Sequence, residues 1–266
     1  MNDETDVSKN QDQAAAPAWR ARIFMIDAEL PFAGHPTIGT ACYALGTLVA
    51  GNGGGTAKKG RLNIPAGTVD SIFENGVARA AIPHNVHLHA ESAFSMETLE
   101  ALQPSLRGGT GRVLKIDVVS PVRGMNFVCV ELESLETLGL VGCTGSRPTA
   151  KLDEEWNVGF VGALFYVRTG EEKGNGGSKV VRVRSRMIEG VMEDPATGSA
   201  ACALGALLSL RAKERQVVYE ITQGVEMGRR SDIGMAVTLT ESLDGVETLE
   251  LSGSSVKVME GRVEYD

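Results

Sequence analysis

The sequence predicts an α+β fold made of two pseudo-symmetric halves, each a curled, mostly antiparallel sheet around one buried central helix. The pattern Pro-x-x-Gly-[Ser/Thr]-Ala occurs twice, starting at Pro36 and at Pro195, and each copy opens a helical stretch without a charged residue. Many short strand-like runs surround each copy. A helix without a polar face must be covered on all sides, and a curled sheet provides that cover.

The individual elements follow from local signals. The two uncharged helices are predicted over residues 36–50 and 195–210, the first ending in glycines and the second in cations that suit a helix C-terminus. Asn75-Gly76 separates two alternating runs, which is the strongest short signal for a β-hairpin. Two further helices are expected over 95–102 and 135–139. The remaining strands are expected over 20–27, 67–73, 76–82, 113–119, 127–132, 160–167, 180–187, 217–222, 235–240 and 255–263.

The chain divides at a glycine-rich stretch around residues 108–112. Residues 1–17 are polar and poor in large apolar side chains, so we expect a disordered lead-in there. The first half is expected over 18–109 and the second over 110–266, with the last strand as a candidate to return to the first half. Little sequence precedes the first copy of the repeat, so we expect the first half to be incomplete and its central helix partly exposed.

Composition restricts the class of protein. The 266 residues carry a net charge of −8 and are 42% hydrophobic, as in soluble globular proteins. The negative charge argues against nucleic acid or a membrane surface as a partner. Four cysteines without C-x-x-C spacing favour reduced thiols, and no uncharged apolar run reaches about 18 residues. We therefore expect a cytoplasmic protein, and an exposed apolar helix face would favour a homodimer.

The repeat places a titratable side chain directly before each proline, His35 in one copy and Asp194 in the other. A helix N-terminus has unpaired N–H groups and partial positive charge, so it binds carboxylates and phosphates. Two such helix starts facing each other would hold a small acid between two groups able to move a proton. The alternative is structural: Asp194 caps its helix, and His35 is a hydrogen-bonded core residue.

Three phrases resemble the phenazine-biosynthesis PhzF-like family, which shares the diaminopimelate epimerase fold. They are ELPFAGHPTIGT at residues 29–40, EDPATGSA at 193–200 and QGVEMGR at 223–229. The resemblance implies isomerase-type proton transfer on a small carboxylate in the cleft between the halves, without a metal or other cofactor. It implies that His35 and Asp194 are the polar catalytic groups, that Ser199 contacts the substrate, and that Gly34 and Gly198 line the anion-binding helix starts.

One feature departs from that family. Its members carry a longer strand-and-helix segment before the first phrase, ending in an acidic general acid/base, and no acid in residues 1–12 has the apolar setting expected for it. Glu29 is a weak candidate to replace it, since the family has a glutamate there as well. Two hypotheses therefore stay open, an active isomerase and a catalytically silent homologue that binds a small acid or a partner.

Other candidate sites are weaker. Related racemases use thiols where this chain has His35 and Asp194, whereas Cys42 and Cys202 fall inside the apolar helices, where small buried thiols are usual. Glycines 51–55 lack the Gly-Lys-[Ser/Thr] of a nucleotide loop. His87 and His89 alternate as metal ligands sometimes do, but no acid or cysteine nearby completes a set, so no metal is expected and a solvated segment is favoured. Arginines 182, 184 and 186 alternate along one strand face, and one of them is a candidate to reach the substrate.

Overall fold

A computed structural model describes residues 16–24, 29–30, 32–49, 57–109, 111–174, 178–262 and 264. The helices are α1 (Gly34–Tyr43, continued by a π-helical turn Ala44–Leu48), α2 (Met96–Leu102), α3 (Leu135–Leu140) and α4 (Gly198–Ala212). The strands are β1 (Ala18–Arg20), β2 (Ile23–Phe24), β3 (Glu29–Leu30), β4 (Lys58–Ile64), β5 (Gly67–Glu74), β6 (Val77–Ala81), β7 (His87–Leu88), β8 (Val113–Val122), β9 (Met125–Leu132), β10 (Phe160–Lys173), β11 (Lys179–Glu189), β12 (Met192–Asp194), β13 (Gln216–Gln223), β14 (Ser231–Leu239) and β15 (Val246–Gly253). The predicted α+β class is confirmed.

One mixed sheet connects both parts of the chain, in the order β1-β4-β5-β6-β15-β14-β13-β11-β10-β9-β8-β7. Neighbours are mostly antiparallel; β1 with β4, β9 with β10 and β11 with β13 are parallel. Strand β15 joins the two parts, because its Leu251 is opposite Met235 on one side and Ala80 on the other. The division at residues 108–112 stays a prediction, while the sheet itself is continuous.

Helix α4 lies inside this sheet. It contacts β8, β9, β13, β14 and β15, and nearly every side chain from Gly198 to Ser209 is buried. The hydroxyl of Ser209, which is fully buried, is hydrogen-bonded to the phenol of Tyr219 at 2.8 Å. On the other face of β8–β10, α2 and α3 pack through Leu99 and Leu138. Strand β9 is therefore covered on both faces, which explains the four consecutive apolar residues at 127–130.

Helix α1 differs from the expectation of burial on all sides. Ile38, Ala41 and Cys42 enter the same core as α4, but Tyr43 and Leu48 are 48% and 50% exposed. Lack of charge was the basis of the expectation, and it is an incomplete guide because threonine and tyrosine tolerate solvent on an uncharged face. Full burial is thus correct for α4, whereas α1 is partly exposed, as expected from the short segment before the first copy of the repeat.

Two local predictions had opposite outcomes. The hairpin at Asn75-Gly76 is confirmed: β5 and β6 pair across it, and both residues have positive φ, 51° and 82°. The strand expected over 255–263 is wrong, since residues 254–262 belong to no strand and Val256 and Val258 are more than 80% exposed. The closing strand is β15, whose Leu249 and Leu251 are buried against its neighbours.

Some predicted features fall on residues outside the described set. These are the lead-in up to residue 15, residues 25–27 of the first predicted strand and the glycine run 51–55. None of the helices in the described part of the chain is long and apolar enough to cross a membrane.

Candidate active site

The first residues of α1 and α4 touch backbone to backbone. A Cβ atom added to Gly34 would lie 2.7 Å from the Cα of Gly198, and one added to Gly198 would lie 2.9 Å from the Cα of Gly34. Leu251 closes this contact, because its Cδ2 atom would meet both added atoms, at 3.1 and 2.7 Å. The paired glycines therefore bring two helix N-termini, and the partial positive charge of each, to one place.

The repeated phrase does not begin its two helices at the same position. Helix α1 starts two residues before Pro36, so that His35 is in its first turn, whereas α4 starts three residues after Pro195. Asp194 ends β12, paired with β11 opposite Met187, and so cannot be helical. The predicted start at Pro195 is wrong, because residues 195–197 are not helical, and the two titratable groups are not equivalent relative to their helices.

A cavity of about 390 Å³ lies at the paired helix starts. His35 is exposed and lines this cavity together with Gly198, so the structure brings one predicted catalytic residue and one predicted binding residue together. Arg230 adds a cation, paired with Asp232 at 3.0 Å. Neighbouring wall residues are Ile38, Gly39, Ala196, Ser231, Ser252 and Ser254. Arg230 and the serines carried no recognisable sequence signal, because several separate strands and loops supply them.

Asp194, Ser199 and Gly34 are not part of that cavity wall, and Gly34 instead packs against the Gly198 backbone. Ser199 is buried as the second residue of α4. The Asp194 carboxylate accepts the hydroxyl of Thr197 at 2.7 Å and the backbone N–H of Ala196 at 3.2 Å. The bond from the Ala196 N–H forms an Asx turn that leads towards α4. The N-cap of α4 is Thr197, so Asp194 holds the preceding turn and is not the helix cap of the structural alternative.

Gln223 holds the same turn from the end of β13, and sequence reasoning assigned it no role. Its amide nitrogen donates to the Asp194 carbonyl at 2.7 Å and to the Thr197 hydroxyl at 2.9 Å, while its oxygen accepts the Thr197 N–H at 3.3 Å. The next residue, Gly224, has φ +75° and lies so close that an added Cβ would meet the Pro195 carbonyl at 2.9 Å. The third family phrase, which begins at Gln223, thus packs against the second phrase. Its place in that phrase was the only sequence signal for Gln223.

The row of arginines on β11 is paired within the chain. Arg186 donates to Glu193 through two nitrogens, at 2.8 and 2.7 Å, and also to the carbonyls of Leu138 and Val141. Glu193 raises the pKa of this guanidinium, and both side chains are about 9% exposed. Arg182 and Arg184 form ion pairs with glutamates nearer to solvent. Of the three arginines, only Arg186 holds β12, the strand that ends at Asp194.

The replacement acid considered above, Glu29, is bound to Arg22 at 2.6 Å. The hydrogen bond from Arg22 lowers the pKa of the Glu29 carboxyl, which favours the ionised form and not a proton donor. Cys42 and Cys202 are buried in the two helices, and burial raises the pKa of the Cys202 thiol to about 12. The lowered pKa of Glu29 does not support acid catalysis by this residue. The raised pKa of Cys202 does not support thiolate chemistry.

The histidine pair behaves differently from the sequence expectation. His89 is only 8% exposed, so the favoured solvated segment is wrong for this residue. An acid also completes the set, because Asp153 approaches both rings from a loop 64 residues beyond His89. A search for ligands close in sequence could not find it.

The structure contains two packed parts of one mixed sheet and a cavity where two helix starts meet. These features define the class, a two-part α+β protein whose candidate site lies between the parts. Residues 7–261 match the family model described as phenazine biosynthesis-like protein, PhzC-PhzF. The chain belongs to this family.

Individual relatives agree. The chain is 32% identical to the trans-2,3-dihydro-3-hydroxyanthranilate isomerase of Pseudomonas aeruginosa, over 98% of this chain and 84% of that one. It is 28% identical to an uncharacterized isomerase of Mesorhizobium japonicum, over 92% and 79%. The crystal structure of the PhzF-family protein of Bacillus anthracis superposes with a TM-score of 0.68 at 18% identity, over 92% and 80%, and this shows the fold.

Proposed function

We propose that this protein is an isomerase that relocates a proton on a small carboxylate-bearing substrate by general acid/base catalysis, without a cofactor. One structural observation carries the proposal: His35, in the first turn of α1, lines the cavity at which the starts of α1 and α4 touch. The names of the relatives support it, since the Pseudomonas aeruginosa protein is called an isomerase and the compound in its name is a carboxylate.

The substrate carboxylate is assigned to the helix starts. The first N–H groups of an α-helix have no partner within the helix, and they attract anions together with the helix dipole. Gly34 and Gly198 allow a ligand and the opposing backbone to approach these groups closely, because neither carries a side chain. Ser199 follows in the first turn of α4, and we keep it as a candidate contact to substrate.

Proton transfer is assigned to His35. An imidazole ordinarily titrates near pH 6.5, so it can donate or accept a proton close to neutral pH. The side chain is exposed to the cavity and is therefore accessible to a bound acid. A positioned general acid or base of this kind contributes about 10²- to 10⁴-fold to a rate.

Asp194 is the second proton-transfer group in the proposal. Its carboxylate now accepts hydrogen bonds from Thr197 and Ala196, so catalysis by Asp194 requires that substrate binding release the Thr197 hydroxyl. If these bonds persist, Asp194 is a positioning residue that holds the turn before α4. The variant Asp194→Asn separates the two roles: loss of a catalytic carboxylate lowers kcat, whereas a shifted helix start raises KM.

The test is deuterium incorporation from D₂O into trans-2,3-dihydro-3-hydroxyanthranilate and a panel of other small carboxylates, followed by NMR. We expect the parent chain to incorporate label into at least one compound, and His35→Gln to do so at least about 10²-fold more slowly. The control is His84→Gln, since His84 bonds only to the Ile82 and Val246 carbonyls, away from the cavity. An unchanged rate in His35→Gln would remove the assignment of His35. Absence of label across the panel would favour the silent homologue.

A further inference from the structure

Three potential metal ligands converge at the end of the sheet formed by β7. Asp153 Oδ2 is 2.6 Å from Nε2 of His87 and 3.4 Å from Nδ1 of His89, and the three atoms all lie within 4.8 Å of one another. None of the three residues is part of the wall of the His35 cavity. The cluster is therefore separate from the site of the proposed isomerase reaction.

The buried ring of His89 is held in one tautomer by a chain of hydrogen bonds. Asn126 donates its amide hydrogens to the carbonyls of Val158 and Phe160, at 2.9 Å each, so its oxygen must accept the Ser120 hydroxyl at 2.6 Å. The Ser120 oxygen is then left to accept a hydrogen from Nε2 of His89, at 2.9 Å. Nδ1 of His89 consequently carries a lone pair, which accepts the backbone N–H of Asp153 at 3.2 Å. A second-shell acceptor on the far nitrogen is what metal-binding histidines usually have.

His87 is fixed by an aromatic contact. Its ring stacks on the indole of Trp156 at 4.6 Å between centroids and 8° between planes, and it meets His89 edge-on at 4.7 Å. Trp156 ends the short 3₁₀ turn that begins directly after Asp153. The same turn therefore positions the carboxylate and orients His87.

We propose that His87 Nε2, His89 Nδ1 and Asp153 Oδ2 bind one divalent transition-metal ion of the Zn²⁺ type. Two imidazoles and a carboxylate suit Zn²⁺, Co²⁺ or Ni²⁺ and do not suit Mg²⁺ or Ca²⁺, which take oxygen ligands. Ligands in a tetrahedral zinc site stand about 3.4 Å apart. The pair His89–Asp153 already has this spacing, and His87–Asp153 needs to open by less than about 1 Å. The pair His87–His89, at most 4.8 Å apart, needs to close by up to about 1.4 Å.

Metal binding also displaces two hydrogens that now lie between the ligand residues. The ion takes the place of the hydrogen between His87 and Asp153, and His87 then carries its proton on Nδ1. It also replaces the Asp153 N–H that now contacts Nδ1 of His89 at 3.2 Å. Solvent supplies the remaining ligand, since Asp153 and His87 are 43% and 31% exposed. The bound ion would tie the loop at 153–156 to the β7 edge of the sheet, so its role would be structural.

The first experiment uses tag-free, full-length protein stripped with a chelator and titrated with Co²⁺ and with Zn²⁺. We expect one equivalent of Co²⁺ to bind with visible d–d absorption and without a sulfur charge-transfer band, which would indicate the exposed Cys143 instead. Zn²⁺ should displace Co²⁺, and Mg²⁺ should not. Asp153→Asn and His87→Gln should each weaken binding by at least about tenfold.

Glu155→Gln is the matched control, because it removes the same charge from the same turn at an exposed carboxylate outside the cluster. Zn²⁺ should raise the Tm of the parent and of Glu155→Gln, and leave that of Asp153→Asn unchanged. Equal metal affinity in the parent and Asp153→Asn would overturn the proposal, as would failure of the parent to bind. The metal-affinity and Tm measurements do not depend on the isomerase assay, so its failure would not affect them.

Discussion

Gly34 and Gly198, 164 residues apart in the chain, meet with their Cα atoms in contact, at a distance that leaves no room for a Cβ on either residue. The contact joins the first turns of α1 and α4, and Gly198 lines the His35 cavity. It therefore couples the stability of the junction between the two parts of the chain to the geometry of the proposed site.

Gly34→Ala and Gly198→Ala should each destabilise the protein by about 1–3 kcal/mol, the usual effect of overpacking. The added methyl would stand less than 3 Å from backbone atoms, which cannot move aside as a flexible side chain can. Urea unfolding measures the change. Gly39→Ala is the control within α1, because an added Cβ there meets nothing within 4 Å. That variant should be neutral or more stable by up to about 1 kcal/mol, and a loss equal to that of Gly34→Ala would contradict the explanation.

Gln223→Leu should lower the free energy of unfolding by at least about 2 kcal/mol, since it leaves the buried Thr197 N–H and the Asp194 carbonyl without their partner. Chemical denaturation provides the value. Gln216→Leu, at an exposed position on the same strand, should change stability by less than about 0.5 kcal/mol. Similar values for the two variants would show that the Gln223 contacts do not hold the turn.

Arg186→Met should cost about 3–5 kcal/mol, because it leaves the buried carboxylate of Glu193 unpaired. Arg182→Met, four residues earlier on β11, breaks pairs whose side chains are about half exposed and should cost no more than about 1 kcal/mol. Both values come from thermal or urea unfolding. A loss as small in Arg186→Met as in Arg182→Met would mean that Glu193 finds another partner or becomes neutral.

Cys143 should be alkylated rapidly by iodoacetamide at pH 8, and Cys129 and Cys202 only after unfolding. Cys143 is exposed, whereas burial raises the pKa of the other two thiols and so suppresses their reactive thiolate forms. Mass spectrometry of peptides from native and unfolded protein gives the rates. Cys143→Ser should remove the fast phase, and fast native labelling of Cys202 would contradict its burial.

Stability should fall as pH rises above about 9, partly because of Cys202. Its thiol titrates near pH 12 when folded and at the ordinary value of 9.0 when unfolded, so only the unfolded chain loses this proton between those values. The contribution is constant below pH 9 and is lost progressively up to pH 12. In Cys202→Ala the alkaline slope of the free energy of unfolding should be shallower, by at most about 1.4 kcal/mol per pH unit. An identical slope would count against the shifted pKa.

The sequence alone determined the features that depend on neighbours a few residues away. Asn75-Gly76 forces the hairpin because both residues adopt positive φ, and Ser95 starts α2 because its hydroxyl accepts the Thr98 N–H. The family phrases identified the fold and drew attention to His35. A local pattern was insufficient where a strand needs a neighbouring strand to pair with. The alternating stretch after residue 254 forms no strand, since no neighbouring strand pairs with it in the described chain.

Only the tertiary structure decided which distant groups meet. It brought Gly34 against Gly198, fixed Asp194 through Gln223, and carried Asp153 to His87 and His89. The physical reason is that these contacts depend on the order of strands in the sheet and on the path of loops between them. That order is set by the packing of the whole core, and no window of sequence contains it.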